Sequence, residues 1–313
     1  MNLAVDVTPL RLTRAGTARY LENLLERIPA RRIAFGGAGR ASVLARELAW
    51  YPLALSQFRG ADVLHCPTYY GPLRPRVATV VTVHDLAVLR HPDAFPRWTR
   101  TYAPRLVPHM VRAAVRVIAV SEFTAREVEE LLDVPRERIR VVPNGVEPLF
   151  TPDGPRARGD YVLAVGTLEP RKNLERTIEA TRRLGVALRV VGASGWGGIE
   201  AGGTHVTWLG RVTDEELARQ YRGARCVVYA SLYEGFGIPV LEALACGAPV
   251  VTSRGGAPEE VAGGQATLVD PLDAGSIAAG IEAARPGDPA YARAFTWDET
   301  ARLTRAVYEE AAA

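Results

Sequence analysis

Short apolar runs alternate with stretches whose apolar residues recur every three or four positions, and this alternation fills almost the whole chain. Leu3 to Val7 reads as a buried strand. A loop with Arg14, Ala15 and Gly16 follows, then a helix over 17–28 that sets Leu21, Leu24, Leu25 and Ile28 on one face. Strand-like runs recur at 32–35, 63–66, 78–84, 115–120 and 139–142, with helical patterns at 40–50 and 122–132. A second series places strands at 161–166, 188–192, 206–210, 226–230, 249–252 and 267–269. Its helices are expected at 174–184, 215–221 and 274–284, the second opened by a capping box of Thr213 and Glu216. Past the break at Pro286 and Gly287 comes a last helix, over 297–310. Regular alternation of this kind predicts an α/β protein built on parallel, doubly wound sheets.

Two series in 313 residues suit two domains, each able to hold its own core. The expected division is 1–150 and 151–290, with a proline- and glycine-bearing linker at 150–155 and a terminal helix in 291–313. No apolar run reaches membrane-spanning length and the first residues enter a strand, so neither a signal peptide nor an anchor is read. Cys66, Cys226 and Cys246 are scattered and odd in number, which suits reduced, buried thiols in a cytoplasmic protein.

Charge is uneven. Residues 1–150 hold 21 arginines against 14 acidic residues, a net of +7; the remainder holds 17 basic against 21 acidic, a net of −4. A basic first half suits an anionic acceptor or an anionic membrane surface. No nucleic-acid reading motif accompanies it, so nucleic acid is not an expected partner. Arg97, Trp98, Arg100, Tyr102, Arg105, Arg112 and Arg116 make a basic, partly aromatic tract. Helical spacing puts Arg105, Arg112 and Arg116 on one face, although Pro104 and Pro108 argue against one straight helix. The tract reads either as a contact for anionic lipid head groups at the inner face of the membrane or for a lipid-diphosphate acceptor, or as a solvated face.

The densest chemistry lies at 229–247. An apolar run ends near Ser231, a loop brings Glu234, Gly235 and Gly237, and Ile238 with Pro239 opens a helix that Gly247 stops. A glycine-lined helix start offers backbone N–H groups and the positive end of the helix dipole to a phosphate. Glu234 and Glu242 flank that start as hydrogen-bond acceptors, so a phosphate with sugars on both sides is the natural guest. Of 38 basic residues only Lys172 is lysine, and it stands with Arg171 just after a predicted strand.

The spacing of Glu234 and Glu242 resembles the E-x7-E signature of retaining GT-B glycosyltransferases, specifically family 4. The likeness extends to Gly-Thr-Leu-Glu-Pro-Arg-Lys-Asn at 166–173, Val-His-Asp-Leu at 83–86, Val-Ser-Glu at 120–122 and Pro-Asn-Gly-Val at 143–146. It implies two Rossmann-like domains facing an interdomain cleft, with the terminal helix returning to the first domain. It implies a metal-independent hexosyltransferase without cofactor, taking a nucleotide-diphosphate sugar as donor; the bacterial mannosyltransferase-like block favours GDP-mannose and leaves UDP-sugars open. The acceptor would be a sugar or a lipid-linked sugar, in envelope, exopolysaccharide or glycolipid synthesis.

Catalytic roles then fall to His84, Arg171, Lys172 and Glu234. Arg171 and Lys172 would hold the leaving diphosphate, Glu234 the donor sugar's hydroxyls, and His84 the sugar near the reacting carbon. Donor contacts are implied for Gly16, Thr167, Arg211, Val212, Phe236, Gly237, Ile238 and Glu242, the last on the ribose diol. Two other readings stay open: a sugar-nucleotide epimerase of the same fold, and a non-catalytic nucleotide-sugar-binding subunit. A pyridoxal phosphorylase would need a Schiff-base lysine, for which only Lys172 is present.

Overall fold

The computed structural model describes residues 1–12, 16–36, 39–95, 97–193 and 204–313. Cα packing divides the chain into two units, Met1–Gly145 with Trp297–Ala313, and Val146–Thr296.

In chain order the first unit runs β1 (Leu3–Asp6), α1 (Gly16–Arg27), β2 (Arg31–Ile33), α2 (Arg40–Ala45), β3 (Val63–Cys66), β4 (Ala78–Val83), α3 (Ala87–Arg90), α4 (Arg97–Ala113), β5 (Arg116–Ala119), α5 (Glu122–Leu132) and β6 (Ile139–Val141). The second unit runs β7 (Tyr161–Val165), α6 (Leu174–Leu184), β8 (Ala187–Val191), β9 (Val206–Gly210), α7 (Asp214–Gly223), β10 (Cys226–Tyr229), α8 (Ile238–Ala245), β11 (Val250–Ser253), α9 (Ala257–Ala262), β12 (Thr267–Val269), α10 (Ala274–Ala283) and α11 (Pro289–Arg293). The terminal helix, α12 (Trp297–Ala312), belongs to the first unit.

Each unit is built on one six-stranded parallel sheet, ordered β2-β1-β3-β4-β5-β6 and β12-β11-β10-β7-β8-β9. Burial on both faces explains why the strands read as near-continuous apolar runs. In the second sheet the order reverses between β7 and β10, where Val162 faces Cys226 and Ala164 faces Val228. A doubly wound sheet binds its ligand beyond the carboxyl ends of the strands at such a reversal. Leucine and valine side chains of β7, β8, β10 and β11 make the core beneath it, with Ile277 and Ile281 of α10.

Helix α12 is part of the first unit's core. Trp297, Ala301, Val307 and Tyr308 pack with Leu21, Leu24 and Ile28 of the α1 region. Polar bonds fix its register: Arg27 Nε to Asp298 at 2.6 Å, Thr300 Oγ1 to the Pro143 carbonyl at 2.7 Å, and Tyr308 Oη with His65 Nδ1 at 2.7 Å. The expected cap at Thr213 forms, while the Glu216 carboxylate bonds Gln220 and Arg219 rather than closing the box, and α5 is capped as well. Thr213 accepts from the Glu216 amide at 3.3 Å, and Ser121 from the Thr124 amide at 3.0 Å.

Three local expectations need correction. The helix expected over 40–50 is α-helical only to Ala45; wider π turns carry Arg46–Ala54. The reason is an inverted face: Arg46 and Glu47 are buried while Leu44, Leu48 and Leu53 are exposed. Second, α4 runs unbroken through Pro104 and Pro108. Its buried face of Thr99, Ala103, Val107, Met110 and Val111 outweighs the two missing backbone donors. Third, Arg116 opens β5 and shares no helical face with Arg105 and Arg112; it bonds Glu310 at 3.1 Å. Most of the basic tract is likewise engaged: Arg100 on Asp93 at 2.7 Å, Arg105 on the Thr101 carbonyl at 2.6 Å, and Arg112 on the Leu132 carbonyl at 3.4 Å.

Candidate active site

The second unit brings Glu169, Arg171, Lys172 and Glu234 together at the reversal between β7 and β10. After β7 the chain passes Gly166 and Thr167, makes one tight 3-10 turn at Pro170–Lys172, and enters α6 through Asn173 in the left-handed region at φ 58°. Asparagine tolerates that conformation because its side chain can bond locally. Here the Asn173 amide reaches the Ala230 carbonyl at 2.9 Å and the Pro271 carbonyl at 2.6 Å, tying this turn to the loop after β10. The Leu232 amide donates to the Arg171 carbonyl at 2.7 Å, which locks the two loops in register.

Close approach beneath this turn is bought with glycine. A Cβ on Gly192, at the end of β8, would stand 2.0 Å from the Gly166 carbonyl oxygen, so the crossing of these strand ends admits no larger residue. A pocket opens beside it, lined by Gly166, Thr167, Lys172, Leu174, Tyr229 and Ser231.

Lys172, which lines this pocket, belongs to a cluster of four acidic and basic side chains. Lys172 Nζ lies 2.5 Å from Glu234 Oε1 and donates to Tyr229 Oη at 3.0 Å. Arg171 Nη1 lies 3.1 Å from Glu234 Oε2, and its Nη2 is 2.9 Å from Glu169 Oε1. Glu169 and Glu234 are buried, so these are not loose surface pairs. Burial by itself would raise the Glu234 carboxyl, yet the charges of Lys172 and Arg171 outweigh it and hold it below the usual carboxylate range. Burial would likewise lower the Lys172 ammonium, and the Glu234 charge reverses that, so its pKa is raised. Lys172 and Glu234 are both ionised at neutral pH.

Glu234 leads into α8. Gly237 caps the helix with φ 107°, a conformation suited to glycine, and Pro239 sits in the first turn. Phe236 and Gly237 are buried, Ile238 is half-buried. Glu242, one turn inside, is also buried and accepts from Tyr221 Oη of α7 at 2.9 Å, so it is no solvated helix residue.

Sequence reasoning placed Arg171, Lys172 and Glu234 together with Thr167, and the second unit does bring these to one loop cluster. Arg211, exposed, and Val212, half-buried, follow β9, and neither bonds to the charged cluster among the described residues. Sequence reasoning missed Glu169, Tyr229 and Tyr221. The first two sit inside stretches already singled out; Tyr221 carried no signal, since only packing of α7 on α8 brings it to Glu242.

His84 and Gly16 belong to the first unit. His84 follows β4, its Nε2 is 3.1 Å from the Pro67 carbonyl, and its ring meets Tyr20 edge-on at 4.9 Å between centroids. Burial pushes the imidazole down to about 4 against the opposing pull of Asp85 and the Pro67 carbonyl, so it is neutral at pH 7. Gly16 is exposed and opens α1; Arg14 and Ala15 of the expected loop lie outside the described residues.

The family described as "Glycosyl transferases group 1" matches residues 150–294, and "Glycosyltransferase Family 4" matches 5–148. The chain is 31% identical to O-antigen chain mannosyltransferase B of Escherichia coli, over 84% of this chain and 77% of that protein. It is 33% identical to the MMP alpha-(1->4)-mannosyltransferase of Mycolicibacterium hassiacum, over 76% of this chain and 66% of that one. Among solved structures, Anabaena HepE in complex with UDP and glucose superposes with a TM-score of 0.76 at 18% identity, covering 99% of this chain and all of that one. Sucrose-phosphate synthase from Thermosynechococcus elongatus gives 0.71 at 20% identity, covering 100% and 96%.

Proposed function

The chain belongs to the group 1, family 4 glycosyltransferases of GT-B fold, and from that footing we propose that it moves a hexose, with mannose favoured, from a nucleotide-diphosphate sugar to a hydroxyl of a sugar or lipid-linked acceptor. Anomeric configuration is retained and no metal is used. One observation carries this reading: Lys172 and Arg171 converge at the β7–β10 reversal, beside the glycine-capped start of α8.

Cleavage of the bond between the anomeric carbon and the diphosphate leaves negative charge on phosphate, and fixed donors aimed at it lower the barrier. Arg171 grips that phosphate with its fork and Lys172 acts as a point charge. The backbone of Phe236, Gly237 and Ile238 adds N–H groups at the positive end of α8. Glu234 accepts from the sugar hydroxyls, Glu242 from the ribose diol, and Thr167 lines the phosphate side. Arg211 and Val212 are assigned to the nucleobase, and Gly16 to a close backbone approach. His84, neutral, bonds to the donor sugar. The acceptor attacks from the face the leaving group departs, and its proton passes to the leaving phosphate, so Glu234 binds and does not become glycosylated.

Mannose is favoured because the relatives at 31% and 33% identity are named mannosyltransferases; a UDP-sugar is the alternative donor. With a lipid-linked acceptor, the enzyme works at the inner face of the membrane, where Arg97 and the exposed Trp98 of α4 face the lipid. No helix among the described residues is long and apolar enough to cross a membrane.

The test is nucleoside diphosphate release from GDP-mannose and UDP-glucose, with and without a panel of glycoside acceptors. Acceptor-dependent release with a retained anomeric centre is expected. Conversion of nucleotide sugar alone would instead mean an epimerase, and binding without turnover on any acceptor would mean a binding subunit.

A further inference from the structure

Glu234 holds the same donors that a diphosphate needs. Lys172 Nζ has three N–H bonds to give; one goes to Glu234 at 2.5 Å and one to Tyr229 at 3.0 Å. Arg171 gives Nη1 to Glu234 at 3.1 Å and to the Tyr233 carbonyl at 3.4 Å, and turns Nη2 to Glu169 at 2.9 Å. The four side chains sum to zero formal charge. A diphosphate approaching Lys172 and Arg171 therefore meets a neutral cluster with a carboxylate already in its place, and like charges at contact distance repel strongly in a buried site.

Ser231 already gives Glu234 one hydrogen bond, and to release both cations its oxygens need further donors. Hydroxyls of a sugar joined to the diphosphate supply them; a sugar-free nucleoside diphosphate does not. We propose that Glu234 competes with the diphosphate for Lys172 and Arg171, so that the site selects the sugar-bearing donor and expels the spent nucleoside diphosphate once the sugar has left. This rests on the diphosphate assignment made above and adds a role for the carboxylate after transfer. Glu169 does not compete in the same way, because its carboxylate pairs with Arg171 while the Lys172 ammonium pairs with Glu234.

Calorimetric titration of the full chain tests this, using GDP against GDP-mannose and UDP against UDP-glucose at one fixed ionic strength. Glu234→Gln keeps the size of the side chain and removes its charge. Its affinity for the sugar-free diphosphate is expected to rise about tenfold, the worth of one charge-assisted contact, with no matching gain for the sugar nucleotide. The preference of the parent for the sugar-bearing ligand shrinks by the same factor. Glu169→Gln, with an equal change of net charge, is expected to move both affinities together and leave their ratio alone. Glu234→Asp, a shorter charged arm that serves if the glutamine variant does not fold, moves the ratio in the same direction by less. An unmoved ratio in Glu234→Gln, or an equal shift in Glu169→Gln, overturns the competition while leaving the diphosphate site standing. A parent that binds neither pair removes that site and the competition with it.

Discussion

Replacing Lys172 by methionine keeps the methylenes that lie over Gly166 and removes the ammonium from Glu234 and Tyr229. Breaking a buried ion pair from one side costs about 3–5 kcal/mol when the remaining charge is left alone. Glu234 is not left alone, since Arg171 stays at 3.1 Å, so a loss of about 2–3 kcal/mol is expected. Glu234→Gln by itself strands no carboxylate; Lys172 retains Tyr229 and Arg171 retains Glu169. A cost of about 1–2 kcal/mol follows for that variant. With both changed, the site is neutral at this pair, and replacing both partners of a buried pair is close to free. The double variant should therefore be more stable than the sum of the singles predicts, by about 3–5 kcal/mol. Two units need not unfold together, so the assay is amide hydrogen exchange of β7 and β10, which reports the opening of the second unit alone. Additivity within about 0.5 kcal/mol would refute the coupling, and with it the claim that these two side chains form one electrostatic unit.

Two predictions concern the first unit. Burial holds His84 down to about 4 and His65 to about 3, so the folded unit refuses protons that the unfolded chain accepts below about 6.5. The stabilisation is complete above pH 6.5 and is lost toward acid by up to about 1.4 kcal/mol per pH unit for each histidine. Asp6, raised by burial to about 6, opposes this between its folded and unfolded values; the diagnostic is therefore His65→Gln, which should flatten the acid limb of stability against pH, and an unchanged limb would contradict the reading. Tyr308→Phe removes the bond to His65 Nδ1 at 2.7 Å, all of it buried. A loss of about 1–2 kcal/mol, seen as faster exchange in α12 and β3, is expected; unchanged exchange would show that packing alone docks the helix.

Strand positions, the helix cap at Thr213 and the parallel sheets were legible because each depends on neighbours within a few residues. The partnership of Lys172 with Glu234 was not, for they lie 62 residues apart and meet only because β10 pairs with β7. The resemblance named both residues without saying that they bond each other. The π turns at Arg46–Ala54 escaped because a charged pair is ordinarily read outward; the leucines at 44, 48 and 53, now exposed, were the available signal. Prolines 104 and 108 misled for the opposite reason: a local rule was outweighed by a buried helix face that only tertiary packing creates.

The proposed site holds the diphosphate with the Lys172 ammonium and the Arg171 guanidinium and without metal. The most direct check is the affinity of the parent and of Lys172→Ala for GDP and UDP, measured with EDTA present. Chelator is expected to leave the parent unchanged, and the variant to lose about tenfold to a hundredfold, the worth of one charged hydrogen bond. Equal binding by parent and variant, or binding that vanishes with EDTA, would contradict it.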